Sequence, residues 1–338
     1  MRQSTIRLPA TPVRLADLAF PSDRVQIHRT RLAYIHLENV LHFSKIDRDG
    51  RVDGYVAAWL PQELALLFMR GGEVVNAARF TNEGREVAPI AAVLRDLDAE
   101  AERGELAFCD APIQQLAWMY QSCAAPAQPR FTNLRKPEDL FPVLQSEKFT
   151  GVLELISGGK VSYLRFDGGR FANGFFAGKP AGVTVAQHVE SLFQPGPMGE
   201  PPVLTGSVFQ AAPDLPGQAS DALLQSYREL FWRVVEIAER EVPGQARQRS
   251  LRAKDALLGA HPSLAALSQP PDQTPVELVT TPQGATQAIA AWCRHLLQEL
   301  EVIAPGVAPT VLRDATREQR FVLQRAGFYE QLPWAVRW

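Results

Sequence analysis

The spacing of apolar residues changes character near Gln218. Upstream, short runs such as VLELI and VSYLRF are rich in β-branched and aromatic residues and are broken by Ser157-Gly158-Gly159-Lys160 and Asp167-Gly168-Gly169. This pattern predicts strands joined by tight hairpins, because glycine supplies the positive φ angles such turns need. Downstream the period becomes 3.6. In SDALLQSYRELFWRVVEIAERE, residues Leu223, Tyr227, Leu230, Phe231, Val234 and Ala238 form one stripe, Ser220 stands at the N-cap, and Pro243-Gly244 ends the helix. RQRSLRAKDALLGAHPSLAAL is a second helical pattern that breaks near His261-Pro262. A proline-rich connection follows, with a brief extended piece expected at Val276–Val279. Thr281-Pro282 opens a third helix with Ala285, Ile289, Trp292, Leu296 and Leu300 as its stripe, and a fourth is expected from Thr310 to Ala326. Amphipathic helices with short connections predict a small antiparallel bundle.

The strand-rich part repeats itself. When Gly54 is laid on Gly151, a displacement of 97 residues, GYVAAWLPQELALLFMRGGEVVNA and GVLELISGGKVSYLRFDGGRFANG align without gaps. Leu64 meets Val161, Leu67 meets Leu164, and Asn76 meets Asn173. Upstream, ENVLHFSKI matches EDLFPVLQS, with about three extra residues around DRDGR in the first copy. Downstream, the helix-like stretches Glu86–Leu97 and Thr184–Phe193 correspond, followed by two strand-like segments that end in Ala-Pro. Each copy reads as short helix, three strands, helix, strand. The fold class expected is therefore α+β, with two similar small domains built on antiparallel hairpins, followed by an all-α bundle. The boundaries are an N-terminal extension over 1–30, a first domain over 31–125, a second over 126–216, and the bundle over 217–338.

A helix followed by tGvL.L, a strand, a [DR]GG turn and [VF][VA]N[AG], then an amphipathic helix and a strand, resembles the PATAN domain and its relatives. These are small α+β modules of bacterial signalling proteins, often found beside response-regulator receiver domains. The second copy carries the resemblance in Gly151, Asp167, Gly168, Gly169, Asn173 and Gly174. The first keeps Gly71, Gly72 and Asn76, but Arg70 replaces the aspartate and Pro61-Gln62 replaces the Gly-Gly turn. The resemblance implies a non-enzymatic regulatory or scaffold protein acting through protein contacts, in some relatives tied to surface motility and type IV pili. No receiver domain accompanies the two copies. A sensor that binds a small molecule between them is the alternative, since domain interfaces often hold pockets.

Composition narrows the partners. Of the 338 residues, 46% are hydrophobic and 21% charged, and the formal charge of −2 gives no global attraction to nucleic acid or an anionic membrane. Cys109, Cys123 and Cys293 lie far apart and read as reduced thiols of a cytoplasmic protein. The first residues lack the apolar stretch of a secretory signal, and no run reaches the ~18 apolar residues of a membrane span. Gly-Lys dipeptides at Gly159 and Gly178 lack the rest of a P-loop, and SxxK at Ser157–Lys160 falls in a hairpin turn. Asp47 and Asp49 imitate a calcium loop, but Lys45 and Val56 occupy its first and last ligand positions. The histidines are scattered, so no catalytic, metal or cofactor site is expected. Two interaction surfaces remain. Arg247, Arg249, Arg252 and Lys254 form a basic cluster that reads as a solvated face, or else meets an acidic partner or nucleic acid. Trp334 and Trp338 either fold back on the bundle or anchor an interface.

Overall fold

The computed structural model describes residues 13–46, 52–124, 129–194, 204–271 and 274–337. The DRDGR loop and Trp338 lie outside them. The chain divides into two compact units, Met1–Pro216 and Gly217–Trp338.

The first unit is mixed α+β. In chain order it runs β1 (Arg24–Arg31), α1 (Leu37–Ile46), β2 (Gly54–Trp59), β3 (Glu63–Arg70), β4 (Glu73–Thr81), β5 (Gly84–Val87), α2 (Ile90–Ala99), β6 (Glu105–Asp110) and α3 (Ile113–Ala124). It continues through β7 (Pro129–Leu134), α4 (Phe141–Ser146), β8 (Gly151–Ser157), β9 (Lys160–Asp167), β10 (Arg170–Phe176), α5 (Val185–Leu192) and β11 (Leu204–Phe209). Two antiparallel sheets result, with strand orders β1-β6-β2-β3-β4-β5 and β7-β11-β8-β9-β10. Read from the β1 and β7 ends, the orders coincide strand for strand until β5, which has no counterpart.

The alternation of side chains explains how the layers assemble. On β2, Val56 and Ala58 face α1 and α2, where Val40, Val93 and Leu97 close one core. Tyr55 and Ala57 point to the other side of the sheet. On β8, Leu153 and Leu155 join Leu140, Leu144, Val189 and Leu192 from the α4 and α5 layer. Val152 and Ile156 point the opposite way, into the core that Tyr55 and Ala57 also enter. α3 lies in this shared core with Leu116, Trp118 and Met119 fully buried, and its Trp118 ring stands 5.1 Å from that of Phe175 on β10. The two sheets thus belong to a single compact unit.

Two local expectations need correction. Residues 13–30, assigned to an extension, are part of the fold. Leu18 and Phe20 are buried in the shared core, and Ala19 bonds both Gly159 and Val161 beside β9. Residues Arg24–Arg31 form an edge strand on β6. Glu86 and Val87, expected in a helix, pair with β4, and the helix begins only at Ile90, past Pro89 at its N-cap. A helix that the apolar pattern did not announce runs over Ile113–Ala124, where the apolar residues surround the axis because it is enclosed rather than half exposed.

The second unit is helical: α6 (Asp221–Glu241), α7 (Ala246–Leu257), α8 (Leu264–Leu267), α9 (Pro282–Glu301), α10 (Val307–Thr316) and α11 (Arg320–Arg325). Its core stacks Phe231 on Trp292 at 3.9 Å, with Tyr227, Leu296, Val311 and Phe328 around them. Ser220 and Thr281 cap α6 and α9 through Leu223 N and Gly284 N. The segment Val276–Val279 forms no strand; Val276 instead plugs into the helical core. The fourth expected helix starts earlier, at Val307, where Glu301 bonds the free Gly306 and Ala308 amides. It breaks after Thr316, whose hydroxyl bonds back to Leu312 O, while Glu318 and Gln319 reach Arg233 and Glu229 on α6.

Candidate functional site

The glycine-asparagine signature occupies equivalent backbone positions in the two sheets. Gly71 and Gly72 have φ of 55° and 79°, and Gly168 and Gly169 have φ of 56° and 80°, the pair of positive angles that defines a tight two-residue hairpin. Gly71 N bonds Asp53 Oδ1 at 2.6 Å; Gly168 N bonds Thr150 Oγ1 at 2.8 Å. The next amide bonds Val52 O in one copy and Phe149 O in the other. A β carbon on Gly72 would stand 2.5 Å from Ser44 O, and one on Gly169 2.9 Å from Leu144 O, so each turn lies against the helix before it. Even the bulge recurs. Phe68 pairs with Asn76 and Met69 with Val74, while Arg165 pairs with Asn173 and Phe166 with Phe171. These turns have their amides engaged within the fold and do not form an anion cradle.

The two asparagines nevertheless differ in environment. Asn76 is buried, donates Nδ2 to Pro216 O at 3.0 Å, and accepts from Ala77 N at 2.9 Å. Asn173 is exposed and donates to Gln114 Oε1 on α3. The difference lies in what covers each asparagine: the segment ending at Pro216 and Tyr120 of α3 meet Asn76, whereas Asn173 meets only the Gln114 side chain at the surface.

Ionisable groups converge between the sheets. Arg85 from β5 reaches Glu154 on β8, with Nη1 at 2.7 and 2.8 Å from the two carboxylate oxygens and both side chains at most 2% exposed. Burial opposes the guanidinium charge, but Glu154 and its neighbours outweigh that and hold Arg85 above its ordinary value. Ser122 and Cys123 of α3 lie beside the pair, and Ser122 Oγ is 3.5 Å from the Tyr163 hydroxyl. Burial raises Tyr163 well above its usual range and pushes the Cys123 thiol up to about 12. A protonated, enclosed thiol beside a buried ion pair is not a nucleophile. The residues between the sheets fill the space with packed rings, aliphatic chains and this polar group.

An open cleft of about 710 Å³ lies instead beside Arg14, Arg29, Arg31, Trp59 and Glu63. There Arg29 stacks 4.2 Å above the Trp59 ring, bonds Glu105 at 2.6 Å, and donates to Ala16 O. Its charge is therefore already engaged. Burial raises the Glu63 carboxyl despite the nearby Arg79.

In the bundle, the basic cluster does not form one face. At about 100° per residue, Arg249 and Lys254 flank the buried stripe of Ala246, Ser250 and Ala253 on opposite sides. Arg247 and Arg252 project outward and are exposed. Arg249 pairs with Glu299 at 3.2 Å, and Lys254 with Asp255 at 3.3 Å. Trp334 packs half-buried against the bundle core. Among the described residues, no group of three His, Cys, Asp or Glu side chains is placed to hold a metal, and no helix is long and apolar enough to cross a membrane. Comparison with family models, curated proteins and solved structures finds no match to this chain.

Arg85 and Glu154 escaped the sequence reading. The one signal was Glu154 itself, a carboxylate flanked by leucines within VLELI, which a buried strand admits only with a partner.

Proposed function

We propose that the protein is a non-enzymatic regulatory scaffold of bacterial signalling, acting through protein contacts from two PATAN-like α+β repeats and a helical bundle. The observation that carries this reading is the repetition of strand order, hairpin geometry and bulge between the sheets. It is joined to a shared interior in which Arg85 and Glu154 are bonded to each other and buried. A small molecule held between the sheets would have to displace that packed interior. Motility or pilus control is the pathway that the resemblance suggests. The test is to use the full chain as immobilised bait in a bacterial lysate. A signalling, motility or pilus component recovered in fixed ratio, and competed away by free chain, is expected. Recovery of chaperones alone overturns the reading.

A further inference from the structure

The two sheets differ at one edge. β4 is covered on its outer side by β5, with Ala78 opposite Val87 and Phe80 opposite Arg85, and Ala88 N donates to Ala77 O at 3.0 Å. The equivalent strand β10 is the last of its sheet. Ala177 N bonds Val161 O, so the ladder to β9 uses alternate residues, and Gly174 and Phe176 turn their N–H and C=O groups outward. Gly174 stands where Ala77 receives its bond from Ala88.

The other edges are defended. β1 carries Arg24, Arg29 and Arg31 and shifts register twice; β7 is likewise irregular; β5 is only four residues long. β10, RFANGFF, has a single charge at its first residue, regular pairing over Asn173–Phe176, and Phe171 43% exposed. An undefended edge of this kind accepts an added strand.

Charge selects the occupant. Arg170 begins the strand and exposed Lys179 follows its end. The Lys160 ammonium lies 3.3 Å from where a β carbon on Gly178 would stand. At the turn, the Asp167 carboxylate is held by Arg165 at 2.8 Å, and Asp17 lies beside Gly159 at the far end of β9. Self-pairing of β10 about Gly174 would set Arg170 of each copy near Lys179 of the other, which repels. We propose that the β10 edge binds an extended acidic segment of a partner protein, which adds antiparallel in the slot that β5 fills in the first sheet.

This inference rests on the scaffold reading above. Its test uses the full chain with a labelled peptide of alternating valine and glutamate, and a lysine counterpart. The glutamate peptide is expected to slow amide exchange at Gly174 and Phe176. Arg170→Glu combined with Lys179→Glu, both at exposed sites, should weaken binding about tenfold, the scale of two surface charge pairs. Equal binding of both peptides, or protection away from β10, overturns the proposal. So does concentration-dependent protection of β10 without peptide, which identifies a second copy as the occupant. If the scaffold reading fails, the lysate bait recovers no partner. If the edge alone fails, the doubly substituted chain recovers the partner as well as the original does.

Discussion

At the residue scale, the glycines of each hairpin have unequal duties. Gly168 faces open space, whereas Gly169 abuts the backbone of Leu144 and Gln145. Gly168→Ala should cost about 1 kcal/mol from its positive φ alone, and Gly169→Ala at least about 2 kcal/mol, because the helix must also move. Urea midpoints order the two variants, and the same order is expected for Gly71 and Gly72. Glu154→Gln should cost about 3 kcal/mol or more by leaving Arg85 charged, buried and without its counter-ion. Replacing both partners with apolar residues should recover most of that loss in a double-mutant cycle. The Cys123 thiol adds a pH dependence. Its ordinary value is near 9 and its folded value about 12, so above pH 9 the unfolded chain ionises while the native thiol does not. Stability should fall by up to about 1.4 kcal/mol per pH unit from this group, and Cys123→Ala should flatten the decline between pH 9 and 10 in urea titrations. The glycines were readable because paired positive φ angles favour glycine. Arg85 was not, since GREV carries no mark that its arginine turns inward.

At the element scale, periodicity succeeded where an element has one wet side. α6 and α9 do, and their caps Ser220 and Thr281 stood in the sequence where the structure uses them. Replacing either by alanine should lower the thermal midpoint of the helical unit, at a cost of about 1 kcal/mol. Elements without a wet side, or with hardly a dry one, were the ones missed. α3 is enclosed and shows no stripe, and β1 is so exposed that its alternation is lost under arginines. β5 is four residues long, too short to show a period. Asn76 is buried and bonds Pro216 O and Ala77 N, while β10 has no strand beyond it and Asn173 stands beside an open edge, where the candidate docking surface lies.

For the whole molecule, the core of the helical unit draws every residue from beyond Pro216, whereas the core between the sheets draws on both repeats and α3. A fragment over 217–338 should therefore fold cooperatively, as followed by circular dichroism. A fragment ending at residue 125 should expose apolar surface and bind a hydrophobic dye. The repeat seen in the sequence was real as a backbone pattern, but the boundary drawn between its copies passes through a common interior. All three cysteines are buried in one or other unit. The N-terminal strap adds a temporal consequence. Ala19 takes its place only when β9 exists to receive it, and Arg85 finds its counter-ion only on β8. Contacts so distant in sequence slow folding. During synthesis the first repeat must leave the ribosome with its inner face unsealed and wait for the second to arrive. An arrest in translation between the two would present that unfinished face to chaperones, which gives the order of emergence a weight that the completed molecule no longer displays.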